Sequence, residues 1–376
     1  MGVSPKNMTN STLTKLRQDI ATVDHEIFQL IEKRMKLCEE VGQVKIEENL
    51  PIKDYSVEKQ IIERARSKAR SMGIYEDLVE AIYLSLIKYS VIKQDELVRT
   101  ARTNLKSQGA KTIIVGGKGH MGQWLAQFFL SLGHEVTVFD PTNTSEAASE
   151  VEEVNSLKEA VLSSQYIILA TPLSKTAEIV EEIIKYQPKG LLVEICSLKS
   201  PVRESIQNAI DAGLRVSSIH PMFGPSAQVL AGKNIVVCEG NGLETEDIVN
   251  NVLSSTSAKL VYLGMTEHDQ LMSYVLGAAH IANIAFANLV SRSSFPTHQV
   301  SAVAGTTFQE QMKVSQEVIE ENQNLYFEIQ SLNKQSEAVI EQLEGIVKDL
   351  RNSIKTQDKQ AFKDIMEEAR VYFEAQ

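Results

Sequence analysis

Three glycines, Gly117, Gly119 and Gly122, stand in G-x-G-x-x-G spacing directly after the β-favouring run Thr112 to Val115. The pattern predicts a helix over Gln123 to Leu132, stopped by Gly133, then a second strand over Val136 to Phe139 that ends at Asp140. Each residue type has a physical role if a dinucleotide binds here. The first glycine makes the turn, the second lets the backbone approach a pyrophosphate, and the third lets helix pack on strand. The helix N-terminus offers free N–H groups and a positive dipole end to the phosphates. Asp140, about twenty residues on, is placed to accept hydrogen bonds from an adenosine ribose. A carboxylate there, with no Arg or Lys just after it, repels a 2′-phosphate and favours NAD over NADP. A lone glycine triplet marks any tight loop; here strand, glycines, helix, strand and acid occur together.

A second set of residues could move a proton. His220 opens HPMFGP (220–225) at the end of a β-rich run, where a histidine of near-neutral pKa suits proton transfer from a hydroxyl. Thr171, Ser197 and Lys199 stand at the ends of other such runs, and ligands of parallel sheets bind beyond those ends. The plainer readings remain open: a histidine capping a turn before Pro221, and Ser197 as a helix N-cap before Pro201.

A third set lies in the first hundred residues. Arg34 and Lys45 are eleven apart, which at roughly 100° per residue returns them to nearly one helix face, shared with Ile31, Cys38 and Val41. Two cations on an apolar stripe call for an anionic partner. Ser90 and Gln94, at i and i+4, stack on one face of another helix. Arg17 sits about a quarter-turn from Arg34 and roughly 25 Å along the axis, so one small ligand cannot touch both from the same helix. If both serve one pocket, Arg17 comes from a partner subunit. Taken singly, all three cations also read as solvated helix charges.

The elements that must position these residues follow from periodicity. Leu13 to Val44 reads as one long helix, with Leu16, Ile20, Val23, Ile27, Leu30 and Ile31 at three- and four-residue spacing. Glu58 to Ser71 and Tyr75 to about Thr100 supply two more, separated at Gly73. Three such helices cannot bury their apolar stripes alone, so an intertwined homodimer is the natural solution. Residues 101–110 form a polar linker. From 112 to about 263, β-rich runs at 166–172, 191–196, 215–220, 234–238 and 260–263 alternate with helices, which implies a mostly parallel sheet. The last hundred residues are largely helical, with Val339, Ile340, Leu343, Ile346, Val347 and Leu350 as core and dimer interface. The fold class expected is multidomain: an all-α domain over 12–100, an α/β Rossmann domain over 111–265, and an all-α substrate and dimerisation domain over 266–376.

Composition narrows the function class. The 376 residues carry a net charge of −11, which argues against a nucleic-acid partner. No run approaches the ~18 apolar residues of a membrane span, and the polar N-terminus lacks a signal-peptide core. Cys38, Cys196 and Cys238 are few and far apart, which fits neither a disulfide framework nor a metal site and suits a reducing cytoplasm.

From Leu16 to Gln94 the chain resembles the all-helical chorismate mutases, through LRQDI with Arg17, EKR with Arg34, VGQVK with Lys45, P-I-x-D with Asp54, then Glu58, and YSVIKQ with Ser90 and Gln94. The resemblance implies that the basic residues bind two substrate carboxylates, Arg17 acting from the other protomer. It also implies that Gln94 and Lys45 address the ether oxygen and Glu58 the ring hydroxyl. Val57 stands where that family usually has Arg. The remainder resembles prephenate dehydrogenases through GGKGHMG, ATP, the E-x-x-S-x-K of 194–199, HPMFGP, EHD (267–269), AAH with His280, and LYFEIQ (325–330). Together they resemble the bifunctional chorismate mutase/prephenate dehydrogenases of tyrosine biosynthesis. Carried over, His220 takes the proton of the ring hydroxyl, Ser197 orients that hydroxyl, and hydride passes to NAD as CO₂ leaves. His280 lines the substrate pocket or packs the core, and His268 makes a structural contact with neighbouring helices. Gln309 and Glu317 stand where the family usually places Arg on a substrate carboxylate, so Lys313 or Arg292 would take over. Two further readings stay open: arogenate in place of prephenate, and a Rossmann half that only senses NAD or tyrosine. Feedback by tyrosine is a further expectation.

Overall fold

The computed structural model describes residues 5–48, 55–100, 109–141 and 151–374. Asp54, and the linker positions 101–108, lie outside them. The chain divides into two compact units. The first holds Met1–Ala170, Pro221–Val236 and Thr245–Val261; the second holds Thr171–His220, Val237–Glu244 and Tyr262–Gln376. In chain order the elements run from a helical domain through a Rossmann-like α/β region to a helical C-terminal region.

The first unit begins with α1 (Pro5–Glu47), α2 (Tyr55–Met72) and α3 (Glu76–Thr100). The apolar spacing of α1 sustains one uninterrupted helix, and both α1 and α2 pack on α3. Helix α2 buries Tyr55, Glu58, Ile62, Ala65 and Ala69, a stripe at three- and four-residue steps. Gly73 ends it with φ +67°, a left-handed cap that a side chain would strain. Along α1, by contrast, Leu16, Ile20, Val23, Ile27, Phe28 and Leu30 are all exposed. That is a continuous apolar face left uncovered by the described residues of the single chain.

The same unit carries β1 (Lys111–Val115), α4 (His120–Ser131), β2 (Glu135–Phe139), β3 (Glu152–Glu153), α5 (Leu157–Ser163) and β4 (Tyr166–Leu169). Helix α4 starts three residues before the sequence expectation, on the glycine turn itself. The strands run β3-β2-β1-β4, all parallel, with Thr112 opposite both Val136 and Tyr166. Ile113, Ile114 and Val115 are at most 1% exposed, as a central strand covered on both faces requires. The chain leaves β1 for β2 on one side and returns to β4 on the other, so the crevice for a ligand opens at the carboxyl end of β1. The helical domain is seated on this region: Ile62, Ile87 and Val91 form one buried cluster with Ala231, and the Tyr55 and Phe128 rings lie 5.3 Å apart. Trp124 packs within α4 against Phe128, and its indole N–H donates to the Ala227 carbonyl at 2.8 Å.

In the second unit α6 (Leu173–Ile184) packs on α7 (Arg203–Asp211), and β5 (Leu191–Glu194) pairs in parallel with β6 (Val216–Pro221), Glu194 opposite Ser218. Next in the chain, strands β7 (Asn234–Glu239) and β8 (Lys259–Gly264) each begin in the first unit and end in the second, while helix α8 (Glu246–Asn251) between them belongs to the first. Then come α9 (Met265–Met272), a π-helical turn (Ser273–Ala278), α10 (Ala279–Ser291), α11 (Thr297–Ala302), α12 (Thr306–Glu320), α13 (Gln323–Leu332), α14 (Ser336–Thr356) and α15 (Lys359–Glu374). Counting uninterrupted apolar residues misses one feature. Met265–Ser291 is, by length and composition, apolar enough to cross a membrane. Buried His268, Asp269, His280 and Asn283 interrupt it, and the first two are hydrogen-bonded to other parts of this unit.

Candidate functional sites

At the carboxyl end of β1 the chain is stripped of side-chain volume. The left-handed turn falls on Gly116 (φ +85°), one residue before the glycine to which the spacing assigns it. Gly117 instead makes room for the neighbouring strand, since a Cβ there would lie 2.4 Å from the Cβ of Val138 on β2. A Cβ on Gly122 would lie 2.2 Å from the Gly116 carbonyl, so only glycine lets α4 meet the turn. A Cβ on Gly119 would meet protein only at 3.5 Å, and no side chain caps the α4 N-terminus. The backbone here is open to an approaching anion. Asp140 follows β2 and accepts from the Lys118 backbone N–H at 3.1 Å, while the Lys118 ammonium pairs with Glu153 at 2.7 Å. The cradle fits a dinucleotide.

In the second unit β5 and β6 bring a buried polar cluster together. Lys199 and Glu194 are fully buried and paired at 2.8 Å, and the Lys199 ammonium also donates to the Ile219 carbonyl at 2.8 Å. Glu194 further accepts from Ser218 and from the Cys196 N–H. Burial alone would lower the Lys199 pKa, but Glu194, together with the neighbouring Cys238 and Cys196, raises it. Lys199 therefore ties β5 to β6 and does not reach a ligand. Beside it stands His220, 5% exposed, its Nδ1 2.9 Å from Nε2 of His268. His268 Nδ1 in turn lies 2.8 Å from Asp269, which also accepts the backbone N–H groups of Lys199 (2.7 Å) and Ser200 (2.6 Å). Burial, then the neighbouring His268 and Lys199, hold His220 well below its ordinary pKa. The imidazole is thus neutral at physiological pH, with one ring nitrogen free of a proton. The sequence reading of His268 as a contact to neighbouring helices is corrected: it is bonded to His220 itself. Its local signal was the His-Asp pair inside EHD.

Ser197 is half-buried in the turn after β5. It caps no helix, because α7 begins at Arg203 with Val202 at its N-cap. Thr171 shares a 2.8 Å hydrogen bond with Thr176 at the start of α6. Farther along, His280 is buried, its ring stacked on Tyr326 at 4.0 Å, with no hydrogen-bond partner for Nδ1 among the described residues. Burial lowers its pKa to about 4. One turn on, Asn283 accepts from Gln311 (2.8 Å) and Ser315 (2.9 Å) of α12. Gln309, Lys313, Glu317 and Arg292 are all exposed in the single chain.

In the helical domain Arg34 donates to the Ser90 hydroxyl at 2.8 Å and to the Leu86 carbonyl at 3.1 Å. Residues 56 apart are thereby joined across α1 and α3, and Arg34 is not a solvated charge. Glu58, 4% exposed, lies on the buried face of α2, and Lys45 is half-buried near the end of α1. Arg17 is exposed on α1, and Val57 is exposed on α2. Gln94 lies within α3, its side chain outside the described part.

Three family patterns cover the chain in succession. Residues 16–95 match chorismate mutase type II, residues 130–262 the nucleotide-binding domain of prephenate dehydrogenase, and residues 265–368 its dimerization domain. A T-protein of Haemophilus influenzae is 26% identical over 82% of this chain and 81% of its own length. A probable arogenate/prephenate dehydrogenase of Methanocaldococcus jannaschii is 24% identical over 72% of this chain and 62% of its own. In fold, prephenate dehydrogenase of A. aeolicus, solved with hydroxyphenyl propionate and NAD+, aligns with a TM-score of 0.57 at 16% identity. That alignment covers 71% of this chain and 98% of that one.

Proposed function

Since the chain belongs to the bifunctional chorismate mutase/prephenate dehydrogenases of tyrosine biosynthesis, we propose that Arg34, Lys45, Glu58 and Gln94 serve its first reaction, and His220 with Ser197 its second. In the mutase, Arg34, Lys45 and Arg17 of the partner subunit hold the two carboxylates of chorismate. Ser90 keeps the Arg34 guanidinium in place and with Asp54 serves substrate binding, and Glu58 takes the ring hydroxyl. Gln94 and Lys45 place positive charge and a hydrogen bond at the breaking ether. The rearrangement is pericyclic and needs no acid, base or nucleophile, so placement and electrostatics supply the catalysis. The uncovered apolar face of α1 supports the dimer that this arrangement requires, and exposed Tyr274, Val275 and Leu289 support a second contact in the C-terminal region.

In the dehydrogenase, Gly117, Gly119, Gly122, Asp140 and Thr171 hold NAD, which accepts the hydride. His220 takes the proton of the prephenate ring hydroxyl, Ser197 orients that hydroxyl, and His280 faces the substrate side chain. The carboxylate leaves as CO₂ and the ring becomes aromatic, which drives the step. The observation that carries this half is the buried His220 at the end of β6, hydrogen-bonded through Nδ1 to His268. Incubating the full chain with chorismate and NAD tests it: 4-hydroxyphenylpyruvate and NADH are expected, and prephenate with no NADH would refute it.

Arogenate remains a second reading because α12 offers uncharged Gln311 and Ser315 to α10, while Lys313 and Arg292 are exposed. Comparing NADH formation from prephenate and arogenate separates the two. We place the protein in the cytoplasm, where its three free cysteines suit a reducing environment. Tyrosine feedback is tested by adding tyrosine to the same assay.

A further inference from the structure

The hydrogen bonds around His220 determine which of its nitrogens can act. Asp269, accepting two backbone N–H groups, has its pKa lowered: burial pushes it up, but the hydrogen bonds from His268, Ser200 and Lys199 outweigh that. As a carboxylate it can only accept, so His268 donates to it from Nδ1. His268 then presents a lone pair at Nε2, and the 2.9 Å contact requires His220 to donate from Nδ1. The remaining nitrogen, Nε2 of His220, is left without its proton. That is the form a base needs, selected by a residue 48 positions away.

We propose that His268, backed by Asp269, is the positioning residue of the dehydrogenase base: it fixes the His220 tautomer and accepts the displaced proton during turnover. The inference rests on the dehydrogenase reading above. As the substrate hydroxyl gives its proton to His220 Nε2, the Nδ1 proton of His220 moves to His268 Nε2. His268 becomes an imidazolium beside the Asp269 carboxylate. Hydride leaves the same carbon for NAD, the C–CO₂ bond breaks, and its electron pair ends on the ring oxygen. The stored proton then returns by the same path to that phenolate oxygen, so the protein gains none. The charges facing His220 from each strand or helix packed on it in this unit fit this role. Lys199 on the β5 side disfavours a cation at His220, its own charge offset by Glu194. Burial lowers the His268 pKa as well, and the hydrogen-bonded Asp269 carboxylate on α9 works against that, so the cation is better held at His268 than at His220. Cys238 on β7 stays a neutral thiol, its pKa raised by burial.

Two substitutions in the full chain separate positioning from mere packing. His268→Leu removes the acceptor; His268→Gln can still accept from His220 Nδ1 through its side-chain oxygen but cannot carry the proton. With saturating NAD, His268→Leu is expected to lower kcat for NADH formation by roughly 10²-fold, the lower end of what one positioned base contributes. KM for prephenate should stay within about threefold, and His268→Gln should recover about a tenth of the lost rate. ¹⁵N NMR of the ring nitrogens, which needs no turnover, should show the Nδ1–H tautomer for His220 in the parent and in His268→Gln, and a mixture in His268→Leu. An Nε2–H tautomer in the parent would overturn the proposal, as would a His268→Leu variant with unchanged kcat. So would a His268→Gln variant as slow as His268→Leu. If the parent forms no NADH at all, the dehydrogenase reading fails while the NMR result still decides the tautomer.

Discussion

Gly122 shows how little room single atoms leave in this molecule. A Cβ there would sit 2.2 Å from a backbone carbonyl, and backbone cannot swing aside as a long side chain can. Gly122→Ala is expected to cost about 1–3 kcal/mol, as overpacking does, and to weaken NAD binding more than it weakens the mutase. Titrating NAD and following chorismate loss in one preparation checks this; equal loss of both would mean global damage. His280 offers a pH test. Its folded-state pKa, about 4, lies below the unfolded value near 6.5. Its contribution to stability is therefore complete above pH 6.5 and falls as pH drops toward 4, where the unfolded chain binds the extra proton. Urea midpoints measured between about pH 7 and 4 should fall less steeply for His280→Asn. At this scale residue types were legible and their assignments less so. The glycine spacing announced a phosphate cradle, but which glycine turns the chain depends on where Val138 packs. His268 could not be joined to His220 from the sequence, since their contact is made by the fold.

At the scale of elements, the two ends of β5 and β6 are held by one buried ion pair. Removing a single partner of such a pair leaves the other charge uncompensated. Lys199→Met is expected to destabilise the second unit by about 3–5 kcal/mol, read from denaturant unfolding, and to slow the dehydrogenase through displaced His220 and Ser197. A cost under about 1 kcal/mol would mean that Glu194 finds other compensation. Helices and strands were the most readable level. Apolar steps of three and four drew α1 nearly end to end, and unbroken β-branched runs marked the parallel strands. The π-helical turn between α9 and α10 had no such signal, because its apolar pattern continues through it. The N-cap alternative for Ser197 fails for a related reason. Pro201 resembles a helix start, yet α7 opens two residues later.

The whole molecule carries two chemistries with different needs, one requiring only a shaped pocket of cations and the other a base, a cofactor and a leaving group. In the pocket proposed above, the first depends on a second copy of the chain, and the exposed apolar face of α1 supports that reading. Arg17→Ala and Arg34→Ala variants, each inactive as a mutase, are therefore expected to regain up to about a quarter of parental activity when refolded together, the share of pockets holding both arginines in a random mixture. No recovery would argue against a shared pocket. Dimer formation itself could only be inferred from the sequence, since a stripe of apolar residues does not say what covers it. The most direct test of the two-centre account is His220→Asn in the full chain, given chorismate and NAD while chorismate loss and NADH are followed together. The account requires chorismate to disappear at the parental rate, prephenate to accumulate, and NADH to stay at background. Equal damage to both reactions, or undiminished NADH, would contradict it.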